Sequence, residues 1–154
     1  MLAHTSHYGF GTVVALSHAD ALERVRRELA REGFGIITEM DMAATLRKKL
    51  GAEIRPYVVL GACLPALAHQ ALAAQPDAGL LLPCNVAVYA EDAERTMIAA
   101  LDPEVMLGLA RDPALEPLAS EARGRLTRAL EAVRDDADAT PSPAAALEVA
   151  DEIC

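Results

Sequence analysis

Hydrophobic and polar positions alternate strictly from Tyr8 to Leu16, with Tyr8, Phe10, Thr12, Val14 and Leu16 on one side and Gly9, Gly11, Val13 and Ala15 on the other. A period of two predicts a strand, and its small second side lets another element approach closely. Ser17, with Asp20 three residues on, then predicts a capped helix start. Leu22, Val25, Leu29 and Ala30 form the apolar stripe of that helix, and Glu23, Arg24, Arg27, Glu28 and Arg31 fall away from it. Gly33 supplies its stop.

The same reading continues along the chain. Phe34 to Asp41 predicts a second strand, with Glu39 and Asp41 on one face because they lie two residues apart. Met42 to Leu50 predicts a short helix ended by Gly51. Tyr57–Leu60 is apolar on both faces and reads as a central strand. Pro65 suits the first turn of a helix running to about Ala74, where a missing amide donor costs nothing. Leu80-Leu81-Leu82 reads as a short strand or an extended lead into Pro83. Asn85–Ala90 and Arg95–Leu101, joined by an acidic turn, predict an antiparallel hairpin. Asp102-Pro103 opens a short helix. Leu115, Leu118, Ala119, Ala122, Leu126, Ala129, Leu130 and Val133 keep helical period in a last amphipathic helix.

These elements predict an α+β fold: a mixed, mainly antiparallel sheet with helices packed on one face. Residues 1–134 form a single domain in this reading, and 135–154 an acidic tail rich in Ala, Pro and Ser that reads as flexible. The positions left for the uncovered face, Val13, Ala15, Ile37, Ala87 and Tyr89, are too apolar for water, which predicts a homodimer.

Composition narrows the function. The chain has 154 residues, enough for one core without disulfides or metals. The tail carries −6 of the net charge of −9, leaving −3 for the body, with no basic stripe, three Tyr and two Phe. Nucleic-acid binding, which draws most of its affinity from phosphate contacts, is not expected on that balance. No apolar run reaches the roughly 18 residues of a membrane span, and the N-terminus has neither the basic start nor the apolar centre of a signal peptide. The expectation is a soluble cytoplasmic protein with no membrane or nucleic-acid partner.

Cysteine placement supplies the candidate chemistry. Cys63 and Cys84 sit in two proline turns, Gly61-Ala62-Cys63-Leu64-Pro65 and Leu82-Pro83-Cys84-Asn85, where apolar runs stop or start. If the strands containing Tyr57–Leu60 and Asn85–Ala90 run antiparallel, both thiols reach one sheet edge. If they run parallel, the thiols lie at opposite ends. Cys63 precedes a helix N-terminus, whose dipole and free amides are expected to lower its pKa. Four readings stay open: two structural cysteines, a redox or sulfur-transfer pair, a metal site using Cys63 and Cys84, and a small-ligand pocket walled by them.

His69, six residues beyond Cys63, turns about 600° away along a helix and reads as exposed. Cys154 reads as an incidental terminal thiol. Glu39, Asp41 and Arg55 are secondary polar candidates at element ends, and Arg47-Lys48-Lys49 a solvated helix face. No catalytic triad, HExxH or phosphate-loop pattern occurs, so the reading leans away from an enzyme and names no cofactor.

The segments TEMDMAATLRKKLG, IRPYVVLGACLPALAHQAL, GLLLPCNVAVY and LDPEVM resemble the domain of unknown function 302 family, over about Tyr8 to Val133. The resemblance implies a compact α+β homodimer with no assigned activity, and pattern positions at Cys63, Pro65, Pro83, Cys84 and Asn85. It also implies an asparagine after the first cysteine, where this chain has Leu64. Leucine cannot cap the helix that follows.

The functional expectation is a small protein that binds a small ligand, metal ion or sulfur species at a two-cysteine sheet edge. Cys63 would be the more reactive thiol, Cys84 its partner and Asn85 a hydrogen-bonding neighbour. The alternative is a homodimeric protein–protein interaction module with purely structural cysteines.

Overall fold

The computed structural model describes residues 2–138. Its strands are β1 (Ala3–His4), β2 (Gly9–Val14), β3 (Gly35–Asp41), β4 (Tyr57–Cys63), β5 (Cys84–Ala90) and β6 (Thr96–Leu101). They form a sheet in the order β1-β2-β6-β5-β4-β3. Every ladder is antiparallel, so the expected mixed sheet is a wholly antiparallel one among the described residues. Five α-helices accompany it: α1 (His18–Arg31), α2 (Met42–Leu50), α3 (Pro65–Ala74), α4 (Pro103–Gly108) and α5 (Glu116–Asp138).

Local chemistry starts and stops these elements much as their residue types require. The Ser17 hydroxyl accepts from the Asp20 amide at 3.3 Å to open α1. Asp41 does the same for α2 through the Ala44 amide at 2.8 Å, and Gly51, at φ 66°, ends that helix in the left-handed conformation glycine tolerates. Asp102 caps α4 through the Glu104 amide at 2.9 Å. In the β5–β6 turn, Asp92 accepts from the Glu94 and Arg95 amides at 2.9 and 2.8 Å.

Helices α1 and α5 lie on one face of the sheet. There Phe10, Leu60, Val86, Val88 and Ile98 from the strands meet Val25 and Leu29 of α1 and Leu126, Leu130 and Val133 of α5. A smaller apolar cluster, Ala71, Ala78, Leu107, Leu115, Leu118 and Ala119, ties α3 and α4 to the start of α5. The α1–α5 seam is stitched at its rim. Arg27 reaches Asp136 at 2.7 Å, and Arg128 reaches Glu32 at 2.6 Å.

Several sequence expectations change here. Glu28 is buried on α1 and Ala30 is exposed, the reverse of their predicted placement. Glu28 lies three residues beyond Val25 and so shares its face. Its carboxylate is held by Arg31 at 2.9 Å and Arg27 at 3.3 Å. Residues Pro76–Leu81 form a 3-10 turn rather than a strand, and only Leu82 is extended, leading into a cis peptide to Pro83. Strand β4 runs on through Gly61, Ala62 and Cys63, so the first cysteine ends a strand instead of sitting in a turn. A bulge between Ile36 and Thr38 interrupts β3 and leaves Ile37 exposed. Helix α5 extends through Asp138, so Asp135, Asp136 and Asp138 are helical. The remainder of the acidic tail, with Cys154, lies outside the described residues.

Candidate functional site

The antiparallel β4–β5 ladder brings the cysteines to one end of the sheet. Ala62 pairs with Cys84, so Cys63 lies one position past Cys84's partner. By strand alternation Cys84 faces the helices with Val86 and Val88, and Cys63 belongs to the opposite set with Val59 and Gly61. Both border an apolar hollow of about 30 Å³, with Phe34, Leu67 and Leu118 among its walls. That is room for about one water.

Burial pushes the half-buried Cys63 thiol up, against the expectation that the helix start would bring it down. Burial first, and the Cys63 charge second, push Cys84 up to about 11. Loss of water beside the apolar hollow disfavours the charged thiolate at both positions. Both thiols are free, and Cys84 belongs to the main core cluster. Among the described residues no group of three or more His, Cys, Asp or Glu could hold a metal ion, so Cys63 and Cys84 have no third ligand. His69 is exposed.

Two residues of the cysteine segments have plain packing roles. A Cβ on Gly61 would run into the Thr38 side chain and come within 2.7 Å of the Pro83 ring, so glycine is needed for that close approach. Leu64 is the N-cap residue of α3 and makes no side-chain cap bond. It is buried in the core instead.

The secondary polar residues stay apart in role. Glu39 pairs with Arg26 across the β3–α1 gap. Asp41 is occupied as the α2 cap. The Arg55 guanidinium donates to the Ala90 carbonyl at 3.3 Å and faces Glu91 at 3.6 Å. His18, which offers no partner motif in sequence, donates through Nε2 to the Val88 carbonyl at 2.9 Å and ties the start of α1 to β5.

What sequence reasoning placed only in outline is the uncovered face of the sheet. Ladder register puts Gly11, Val13, Met97, Ala99, Ala87, Tyr89, Tyr57, Val59 and Met40 on it. Of the predicted members, Val13, Ala87 and Tyr89 belong there, Ile37 sits at the bulge, and Ala15 lies beyond β2. No Asp, Glu, Lys or Arg occupies this set. Arg55 and Glu91 pair with each other just past the ends of β4 and β5.

One end of this face is concave, with a volume of about 440 Å³. Gly9, Ala87 and Ala99 make a low floor, and Tyr8, Tyr57 and Tyr89 stand around it. Tyr57 and Tyr89, directly paired across β4 and β5, stack with ring centroids 5.0 Å apart and planes 6° from parallel. Asn85, Thr5 and Ser6 bring polar groups to the rim. Burial first, then the Glu91 and Tyr57 charges, raise the Tyr89 hydroxyl pKa, with Arg55 opposing. A chain with three tyrosines and no tryptophan thus places every tyrosine at one recess. Tyr57 carried no such signal in sequence, because its strand reads as apolar on both faces.

Comparison with known proteins decides the family. Residues 10–133 match the family described as Domain of unknown function DUF302. The chain belongs to the DUF302 family. The crystal structure of the uncharacterized conserved protein DUF302 from Bacillus stearothermophilus superimposes with a TM-score of 0.76 at 29% identity. That match covers 84% of this chain and 100% of the other. No curated protein matches. Within the DUF302 match, Cys63, Pro65, Pro83, Cys84 and Asn85 gather at the β4–β5 end of the sheet, and Asn85, which is exposed, lies on the face opposite Cys84 and borders the recess. No helix of the described residues is long and apolar enough to cross a membrane.

Proposed function

We propose that the protein is a non-catalytic homodimeric binding module, in which two copies meet through the uncovered sheet face and Cys63 and Cys84 are structural. The observation that carries this reading is the charge-free composition of that face in a chain of net charge −9. Two such chains repel wherever their acidic surfaces approach, and this face lets them meet without burying an unpaired charge. Its size also suits. Strands β2 to β6, of six or seven residues each and about 4.8 Å apart, span a projected area of ~500 Å². That is the right order for the ~800 Å² of accessible surface each partner buries in a standard interface.

The thiol-edge reading, in which Cys63 and Cys84 hold a ligand, metal ion or sulfur species, is less well supported by a one-water hollow and thiols pushed up by burial. The module reading takes the protein to work in the cytoplasm, where free thiols stay reduced.

Native mass spectrometry beside the denatured mass tests the proposal. The expected spectrum is a dimer whose chains carry no covalent addition at Cys63 or Cys84. A monomer alone at tens of micromolar, or a sulfur adduct removed by reduction at either cysteine, overturns it.

A further inference from the structure

We infer that the recess on the uncovered sheet face is a binding site for a flat, uncharged aromatic molecule with an amide-like edge. The inference rests on the open-face reading above, but the lining comes from one chain alone, so a second copy would close over the site rather than build it.

Three features of the recess select that chemistry. Its volume of about 440 Å³ falls in the range of small-molecule sites. Its aromatic wall is the whole tyrosine content of a chain with 3% aromatic residues, gathered from the β1–β2 turn, β4 and β5. Core packing does not call for this, since Tyr8 is 62% exposed and the hydrophobic core is built from aliphatic side chains and phenylalanine. Rings in such a setting gain from offset or edge-on contact with another ring, as the parallel Tyr57–Tyr89 pair already shows.

The second feature is charge. No Asp, Glu, Lys, Arg or His borders the recess, so a charged ligand would lose water without gaining a counter-ion. The Tyr89 hydroxyl stays protonated at neutral pH, because burial and the Glu91 charge both disfavour its anion. The third is hydrogen bonding. The Asn85 side chain offers a carbonyl acceptor and an amide donor together, which matches a ligand edge carrying both. The Thr5 and Ser6 hydroxyls stand on the other side of the floor, where a Cβ at Gly9 would approach them to 2.8 and 3.2 Å. Glycine at that position lets the hydroxyls approach the floor.

The probes are benzamide, benzoate and cyclohexanecarboxamide, followed by tyrosine fluorescence and by the NMR signals of the Asn85 side-chain amide. With no tryptophan, fluorescence reports the recess itself. Benzamide is expected to saturate both signals, with benzoate and cyclohexanecarboxamide weaker by about tenfold or more. Asn85→Ala is expected to weaken benzamide, and Ala99→Leu to abolish its binding by filling the floor. Absence of saturation by benzamide, equal binding of benzoate, or indifference to both substitutions overturns the inference.

The same titration on Met97→Arg, a substitution on the open face outside the recess, separates the two proposals. A wild-type monomer that binds benzamide refutes the dimer and leaves this site standing. A wild-type dimer that does not bind, beside a Met97→Arg monomer that does, means the partner's side chains fill the recess, and the site is then a dimer contact instead.

Discussion

At the scale of single residues, Cys84 shows how environment overrides type. A thiol between proline and a strand start looks reactive, yet here it faces the helices in an apolar core and is pushed up to about 11. At pH 8 the peptide-resolved alkylation rate of Cys84 should be at least about tenfold slower in the folded protein than in denaturant, and that of Cys63 slower as well, because the thiolate is the reactive form. Rapid labelling of either in the folded state would restore the reactive-thiol reading. The shift also links to stability. The raised value means that folding favours the neutral thiol, so the contribution is fully present below the ordinary value of 9.0 and is lost as pH climbs from there toward about 11. The loss amounts to at most about 3 kcal/mol. Cys84→Ala should flatten stability against pH in that window, as measured by urea unfolding.

These residues also mark what sequence could convey. The position of Cys84 beside a strand was legible from proline and alternation. Its pKa was not, because desolvation depends on Phe34, Leu67 and Leu118, which lie far away along the chain. Leu64 is similar. As a missing cap it looked like a defect, whereas the fold uses it as a core anchor.

At the scale of elements, caps and stops were the most readable features. Ser17, Asp41, Gly51, Pro65 and Asp102 each act within a few residues of themselves, so local chemistry fixes α1, α2, α3 and α4 closely. The misplacements have longer-range causes. Glu28 is buried because α5 packs against α1, and the β3 bulge arises where the strand must stay in register with β4. Asp102 joins both kinds of role. It caps α4 and receives Arg123 at 3.1 Å, while that guanidinium lies 5.1 Å from the centre of the Phe10 ring. Asp102→Ala should therefore cost about 1–3 kcal/mol, the loss of a cap plus the closer of the two carboxylates that hold Arg123, which keeps Glu104 at 3.9 Å. The expected sign is a lower urea midpoint with an unchanged slope. An unchanged midpoint would mean that neither contact matters.

At the scale of the whole molecule, the decisive asymmetry is between two sheet faces. One is sealed by α1 and α5, and the other presents Val13, Met97, Ala99, Tyr57 and Tyr89 without a formal charge. Alternation in β2 and β5 was enough to predict that such a face exists. Its shape was not readable, because the recess needs the β1–β2 turn, β2, β6, β5 and β4 side by side, and no single segment contains it. An arginine at the middle of this face would have to be buried, unpaired, in each copy of a face-to-face dimer.

Light scattering of the wild-type protein at tens of micromolar, beside Met97→Arg, tests the account most directly. A wild-type mass of two chains that falls to one in the variant, with far-ultraviolet circular dichroism unchanged, is the predicted result. A wild-type mass of one chain, or a dimer that Met97→Arg leaves intact, would contradict it.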